Sequence, residues 1–138
     1  MFPISNGMTS EKKYKVLIVD DDKFLLDMYA TKFKSLGHDV SVAVGAMEAL
    51  EKLRDGAKPD ILILDIIMPV MDGLELLVAI RKEKLVERSA VVMLTNESDP
   101  EKINQAKSLK ADGYIVKATT IPSEVVSEVI DIVNKKGK

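Results

Sequence analysis

The sequence predicts an α/β domain built on a five-stranded parallel sheet, and three observations predict it. Short runs rich in Val, Ile and Leu recur at Lys15–Val19, Asp39–Val44, Ile61–Leu64, Ser89–Leu94 and Gly113–Val116. Stretches with helical spacing of apolar residues separate them, each long enough to cross back over a sheet. Four of the runs deliver a polar residue just past their apolar part: Asp20 and Asp21, Asp65, Thr95 and Lys117. Five alternations of strand and helix argue for parallel strands joined by right-handed crossovers.

In chain order, residues 1–13 mix Pro, Gly, Asn and Ser without periodicity and are expected to be a disordered lead-in. Lys15–Val19 is a first buried strand, and Asp22 is suited to cap the helix after it. Leu25, Met28, Tyr29, Phe33 and Leu36 recur on one face of that helix, with Phe24 and Leu26 beside the stripe, and Gly37 ends it. Asp39–Val44 alternates and turns at Gly45; Ala46–Arg54 is a second helix. Ile61–Leu64 is apolar at every position, as a strand covered on both faces requires. Asp72 and Gly73 open a third helix with Leu74, Leu77, Val78 and Ile80 or Arg81 inward. The fourth helix, from Pro100 to Lys110, offers only Ile103, Ala106 and Leu109 to a core, so it should be lightly anchored. Pro122 opens a fifth with Val125, Val126, Val129, Ile130 and Val133 inward.

Composition narrows the function. A chain of 138 residues with no cysteine fits one domain without disulfides or thiolate chemistry, and a reducing, cytoplasmic setting. A net charge of −2 gives no electrostatic reason to bind nucleic acid or an anionic membrane directly. No segment has the length and apolarity of a membrane span. His38, the one histidine, follows Gly37 and is expected to be a turn residue.

If the sheet is parallel, the polar residues past the strands share one edge, where open α/β sheets bind ligands. Three carboxylates together, Asp20, Asp21 and Asp65, repel one another unless a cation joins them. Mg²⁺ suits two carboxylates plus a phosphate, so a magnesium site is expected. Taken singly, Thr95 suits a cap and Lys117 a solvated surface charge. Together, a metal, a hydroxyl and an ammonium form apparatus for neutralising phosphoryl oxygens, with Asp65 as the nucleophile.

These residues carry a resemblance. V-D-D at Val19–Asp21, D-x-x-M-P-x-x-D-G at Asp65–Gly73, Thr95, and G-Y-x-x-K at Gly113–Lys117 resemble the response-regulator receiver domain, the phosphoacceptor module of two-component signalling. The match covers residues 14 to about 135 and implies a flavodoxin-like, doubly wound (βα)5 topology in a single domain, like that of chemotaxis regulators. It implies that Asp65 accepts a phosphoryl group from a phosphohistidine donor. It implies Mg²⁺ held by Asp21, Asp65 and the backbone carbonyl of Ile67, with Asp20 acting through a water. Thr95 and Lys117 would contact phosphoryl oxygens, and Tyr114 would change rotamer as Thr95 shifts. The output face would comprise the fourth helix, fifth strand and fifth helix, a possible homodimer surface. The implied partner is a histidine kinase or histidine phosphotransferase, docking near the first helix. Such a protein is a phosphoacceptor that catalyses its own phosphorylation and dephosphorylation, not an enzyme acting on others.

Four positions depart from or tune the pattern. Ala118 stands where the family usually carries a cis proline; a cis bond costs about 2.5–4 kcal/mol for any other residue, so a trans bond or a strained loop is expected. Asn96 replaces a small residue beside Thr95. Ile67 and Glu97 occupy positions where the family tunes phosphate lifetime, and an apolar Ile67 cannot hold an attacking water.

Two alternatives compete with this reading. One is a pseudo-receiver that signals by contact without phosphorylation, suggested by Ala118 and Asn96. The other, more remote, is a haloacid-dehalogenase-like phosphatase with Asp20–Asp22 as nucleophile motif. That motif wants Thr or Val where Phe24 stands and leaves Asp65 unexplained.

Overall fold

The computed structural model describes residues 12–136. The expected lead-in therefore lies, apart from residues 12 and 13, outside the described residues. The strands are β1 (Lys15–Asp20), β2 (Asp39–Val44), β3 (Ile61–Leu64), β4 (Ala90–Thr95) and β5 (Gly113–Val116). The helices are α1 (Lys23–Ser35), α2 (Ala46–Arg54), α3 (Gly73–Glu83), α4 (Pro100–Ser108) and α5 (Pro122–Lys136). All strand pairs are parallel, in the order β2-β1-β3-β4-β5. The doubly wound topology expected from the sequence is the observed one.

Alternation along each strand divides the core into two layers. Leu17, Val19, Leu62, Leu64, Val91 and Met93 pack with the buried faces of α2 and α3 and with Ala106 of α4. Val16, Ile18, Ile61, Ile63, Val92 and Leu94 pack with α1 and α5. Every residue of β3 is buried, so each Leu or Ile there contributes about 1.5–3 kcal/mol of hydrophobic stabilisation. Edge strand β2 is half exposed, in keeping with its alternation.

Helix boundaries follow local chemistry. The Asp22 carboxylate accepts from the Phe24 and Leu25 amides, and Gly37, at φ 92°, follows the end of α1. Asp72 and Glu75 form a reciprocal capping box at α3. Pro100 sits in the first turn of α4, behind the Asp99 cap.

Three expectations are corrected. Leu26 is buried in the α1 stripe, whereas Leu36 is 52 % exposed; only Phe24, at 77 %, stands out from the helix as expected. The stripe is shifted because α1 packs against both the sheet and α5, which broadens its covered face. Leu76 joins the buried face of α3 for the same reason, being enclosed with the sheet core. His38 is a buried core residue. Its Nδ1 accepts from the Tyr14 amide at 3.0 Å, and its ring lies between Tyr14, stacked at 5.7 Å, and Phe33, edge-on at 6.0 Å. Tyr14, which both stacks on the ring and donates to it, is 24 residues away in sequence, so local pattern cannot reveal the site.

Candidate phosphoacceptor and metal site

Strand order reverses between β1 and β3, so the crevice of this sheet opens where Asp20 ends one strand and Asp65 follows the other. Val19 and Leu64 are register partners, and the Asp65 amide donates to the Val19 carbonyl at 3.0 Å. That parallel ladder sets the two carboxylates side by side. Asp20, Asp21 and Asp65 can each offer an oxygen such that all lie within 4.8 Å of one another. Asp20 and Asp65 are buried and Asp21 is exposed. Three hard oxygen donors, one open to solvent, fit a divalent cation that retains water.

Lys117 reaches this cluster from the end of β5. Its Nζ lies 2.6 Å from Asp20 and 3.3 Å from Asp65, with all three side chains largely buried. The Ala118 departure therefore does not displace the lysine. Among the described residues no peptide bond is cis; a 3₁₀ turn at Lys117–Thr119 makes the corner, with the Thr120 amide donating back to the Lys117 carbonyl. Burial alone would lower the Lys117 ammonium, but the pull of Asp20 and Asp65 outweighs it and leaves the group raised above its ordinary range. The lysine is a held cation.

Burial raises the Asp65 carboxyl above its ordinary value, and neighbouring Asp20 adds to the rise. A hydrogen bond from the Thr95 side chain, the Lys117 charge and the Ile67 amide, 3.2 Å from Oδ1, oppose it. Asp65 thus sits in a site where added positive charge would favour its ionised form. Asp20 Oδ1 is positioned separately, accepting from the Asp22 amide at 3.0 Å.

Thr95, the last residue of β4, is fully buried. Its Oγ1 accepts from the Glu97 amide at 3.2 Å, while the Tyr114 hydroxyl donates to the Glu97 carbonyl. One residue, Glu97, is thereby held at its N–H and at its C=O by the two residues expected to switch together. Burial pushes the Tyr114 phenol up, helped by Glu97 and Asp65. Asn96 is exposed, and Ile67 is 56 % exposed at the mouth of the site.

The structure thus brings Asp20, Asp21, Asp65, Thr95 and Lys117 to one edge, with Tyr114 linked to Thr95 through the Glu97 backbone. Two neighbours were missed from sequence. Tyr29, buried on α1, feels the charges of Lys117, Asp20 and Asp65, although burial is the main cause of its raised phenol. Gly73 lies against the backbone of Asp65, where a side chain would overlap it. A glycine in the first position of a well-capped helix, where most residues are cheaper, was a readable signal for the second.

Comparisons with known proteins agree with this geometry. The sequence profile of the response regulator receiver domain matches residues 16–129. The alkaline phosphatase synthesis transcriptional regulatory protein PhoP of Bacillus subtilis is 31% identical over 121 residues, covering 88% of this chain and 49% of that protein. The probable transcriptional regulator ycf27 of Guillardia theta is 34% identical over 128 residues, covering 93% and 48% respectively. This chain spans about half the length of these curated relatives. Among solved structures, the chemotaxis protein CheY4 of Vibrio cholerae superposes with a TM-score of 0.79 at 32% identity, covering 88% of this chain and 99% of that one. A CheY-like receiver domain protein of Methanospirillum hungatei gives 0.81 at 27% identity, covering 91% and 98%.

Proposed function

The chain belongs to the response-regulator receiver family of two-component signalling, and on that premise we propose that Asp65 is its phosphoacceptor. The observation that carries this reading is the convergence of three carboxylates, a buried ammonium and a buried hydroxyl at the switch point of the sheet. In the transfer, an Asp65 carboxylate oxygen attacks phosphorus, the donor's N–P bond breaks, and its electron pair stays on the donor imidazole, which then takes a proton. Lys117 and Thr95 neutralise the phosphoryl oxygens. Asp21, Asp65 and the Ile67 carbonyl, with Asp20 through a water, would hold Mg²⁺, which when bound would supply further charge neutralisation for the carboxylates and phosphoryl oxygens.

The family is not enzymatic in the usual sense; self-catalysed phosphorylation and dephosphorylation is the finer reading proposed for this chain. As Thr95 turns its hydroxyl toward the phosphoryl group, the Glu97 backbone loses its holder at the N–H, and Tyr114, at the C=O, responds. This is a two-state bias set by differential contacts. It is supported by α4, whose only buried residue is Ala106 and which is therefore free to shift at small cost. The α4-β5-α5 face is the proposed output and homodimer surface, and a histidine kinase or histidine phosphotransferase the proposed donor. Among the described residues no helix is long and apolar enough to cross a membrane, and a cytoplasmic setting is proposed. Residues 14–135 are the proposed receiver unit.

The test is incubation with Mg²⁺ and a small phosphodonor, or beryllofluoride, read by intact mass or binding. Metal-dependent gain of one phosphoryl group, lost in Asp65→Asn, is expected. Absence of both modification and beryllofluoride binding at saturating Mg²⁺ would replace this reading with a phosphorylation-independent module.

A further inference from the structure

The far edge of the sheet carries a feature that phosphorylation of Asp65 does not use. β4 begins there at Ala90 and ends at Thr95, so this edge lies roughly 20 Å from the acceptor. A cavity of about 280 Å³ opens between the ends of α3, α4 and α5 and the loop before β4. Ile80 and Val86 contribute its buried apolar lining, and four cations surround it: Arg81, Lys84, Lys110 and Lys136.

Helix C-termini attract cations, so each charge must be weighed against that ordinary use. Arg81 is so used: its guanidinium donates to the Leu109 and Lys110 carbonyls at 2.9 and 3.1 Å, closing the end of α4. Lys136 pairs with Asp112 at 3.1 Å. The Ser89 hydroxyl is committed to the Pro59 carbonyl. Glu87 is the one acidic residue of the lining. Lys84 and Lys110 have no hydrogen bond or ion pair of their side chains among the described residues, and both are exposed.

The backbone singles out these same two lysines. Lys84 has φ 55° and Lys110 φ 66°, the left-handed conformation in which glycine is at ease and other residues cost about 1–2 kcal/mol. Lys84 caps α3, and Lys110 follows the cap of α4, both places where glycine commonly ends a helix. Twice, at one cavity, the chain keeps an ammonium where glycine would fold more easily. Attraction to the helix ends is the one structural use left to these side chains, because neither ammonium has a hydrogen-bonding or ion-pairing partner among the described residues.

The geometry points to a second binding site here, for a small, multiply charged oxyanion such as pyrophosphate. The volume is below that of a drug-sized pocket, and no aromatic ring lines it, so a nucleobase finds no stacking surface there. Separated cations suit several charged oxygens better than one.

The test titrates inorganic pyrophosphate, with orthophosphate in parallel, into the whole chain at about 0.15 M salt without divalent cation, followed by backbone amide NMR and calorimetry. Saturable shifts clustered at Lys84, Val86, Ser89 and Lys110, with pyrophosphate binding more tightly than orthophosphate, are expected. The paired variant Lys84→Gly, Lys110→Gly relieves the backbone and so keeps its fold. It should unfold at a higher temperature than the wild type while binding pyrophosphate about tenfold or more weakly. Unsaturable shifts, shifts centred on Asp65, or equal affinity in the folded variant would each overturn the proposal.

Discussion

A side chain at Gly73 would overlap the backbone carbonyl of Asp65: an ideal Cβ there lies 2.8 Å from the Asp65 carbonyl carbon and 2.9 Å from the Ile66 Cα. The Gly73 amide also donates to the Ile66 carbonyl at 2.9 Å. The first turn of α3 is thus fitted directly against the acceptor's own peptide. Space, not a positive φ, demands glycine here.

Gly73→Ala should therefore push α3 from β3 or displace Asp65. The obstacle is backbone, which cannot rotate away as a side chain can. The expected loss is at least about 1–3 kcal/mol of stability, as for overpacking, together with slower phosphorylation by a small donor. Urea denaturation and intact mass measure the two; a variant of wild-type stability and rate would show that α3 is loosely seated.

Asp65→Asn should stabilise the metal-free protein at neutral pH. The folded-state carboxyl is raised above its ordinary value of 3.8, chiefly by burial. A raised acid contributes its stability below the unfolded value and loses it as pH rises through the folded one. At pH 7 the wild type has lost that contribution and Asn has not, so Tm should rise by a few degrees, on the order of 1 kcal/mol. The advantage should shrink as pH falls toward 3.8. Mg²⁺ should then raise the Tm of the wild type more than that of the variant. Melting curves across pH, with and without Mg²⁺, check both signs.

Val70→Gly should stabilise the fold. Val70 is β-branched, 94 % exposed and held at φ 72° in the loop between β3 and α3, where the Met71 amide donates to the Pro69 carbonyl at 2.8 Å. Relief of the left-handed conformation is worth about 1–2 kcal/mol. Added freedom in the unfolded chain returns about 0.4–1 kcal/mol. A net gain of roughly 0.5–1 kcal/mol is expected from those two figures, read as a higher urea midpoint at unchanged slope.

Ile67 bears on how long the aspartyl phosphate survives. It is 56 % exposed and its side chain offers no group to orient water toward Asp65, only its amide, which Asp65 Oδ1 already engages. Self-dephosphorylation should be slow, lasting well beyond minutes, and Ile67→Asn should hasten it severalfold. Decay of the phosphorylated mass with time distinguishes the two; loss within minutes in the wild type would contradict the assignment.

The site was legible in sequence because its members each end a strand. Asp20, Asp65, Thr95 and Lys117 needed only the inference of parallel strands to be placed on one edge, and they lie there. Helix caps at Asp22 and Asp72 were equally local. Residues whose roles depend on distant neighbours were misread. His38 looked like a turn until Tyr14 and Phe33 enclosed it, and Leu26 looked peripheral until α5 covered it.

The sequence by itself determined the strand count, the alternation with helices and the identity of the acidic, hydroxyl and ammonium groups, because periodicity and strand-end chemistry are local properties. The tertiary structure decided the rest. It chose the β2-β1-β3-β4-β5 order that sets Asp20 beside Asp65, and held Lys117 between them through a trans 3₁₀ turn in place of a proline. It also joined Thr95 to Tyr114 through the Glu97 backbone, and gathered three helix ends around Lys84 and Lys110. Those are relations between segments, fixed only when the two apolar layers close over the sheet and bring their ends together.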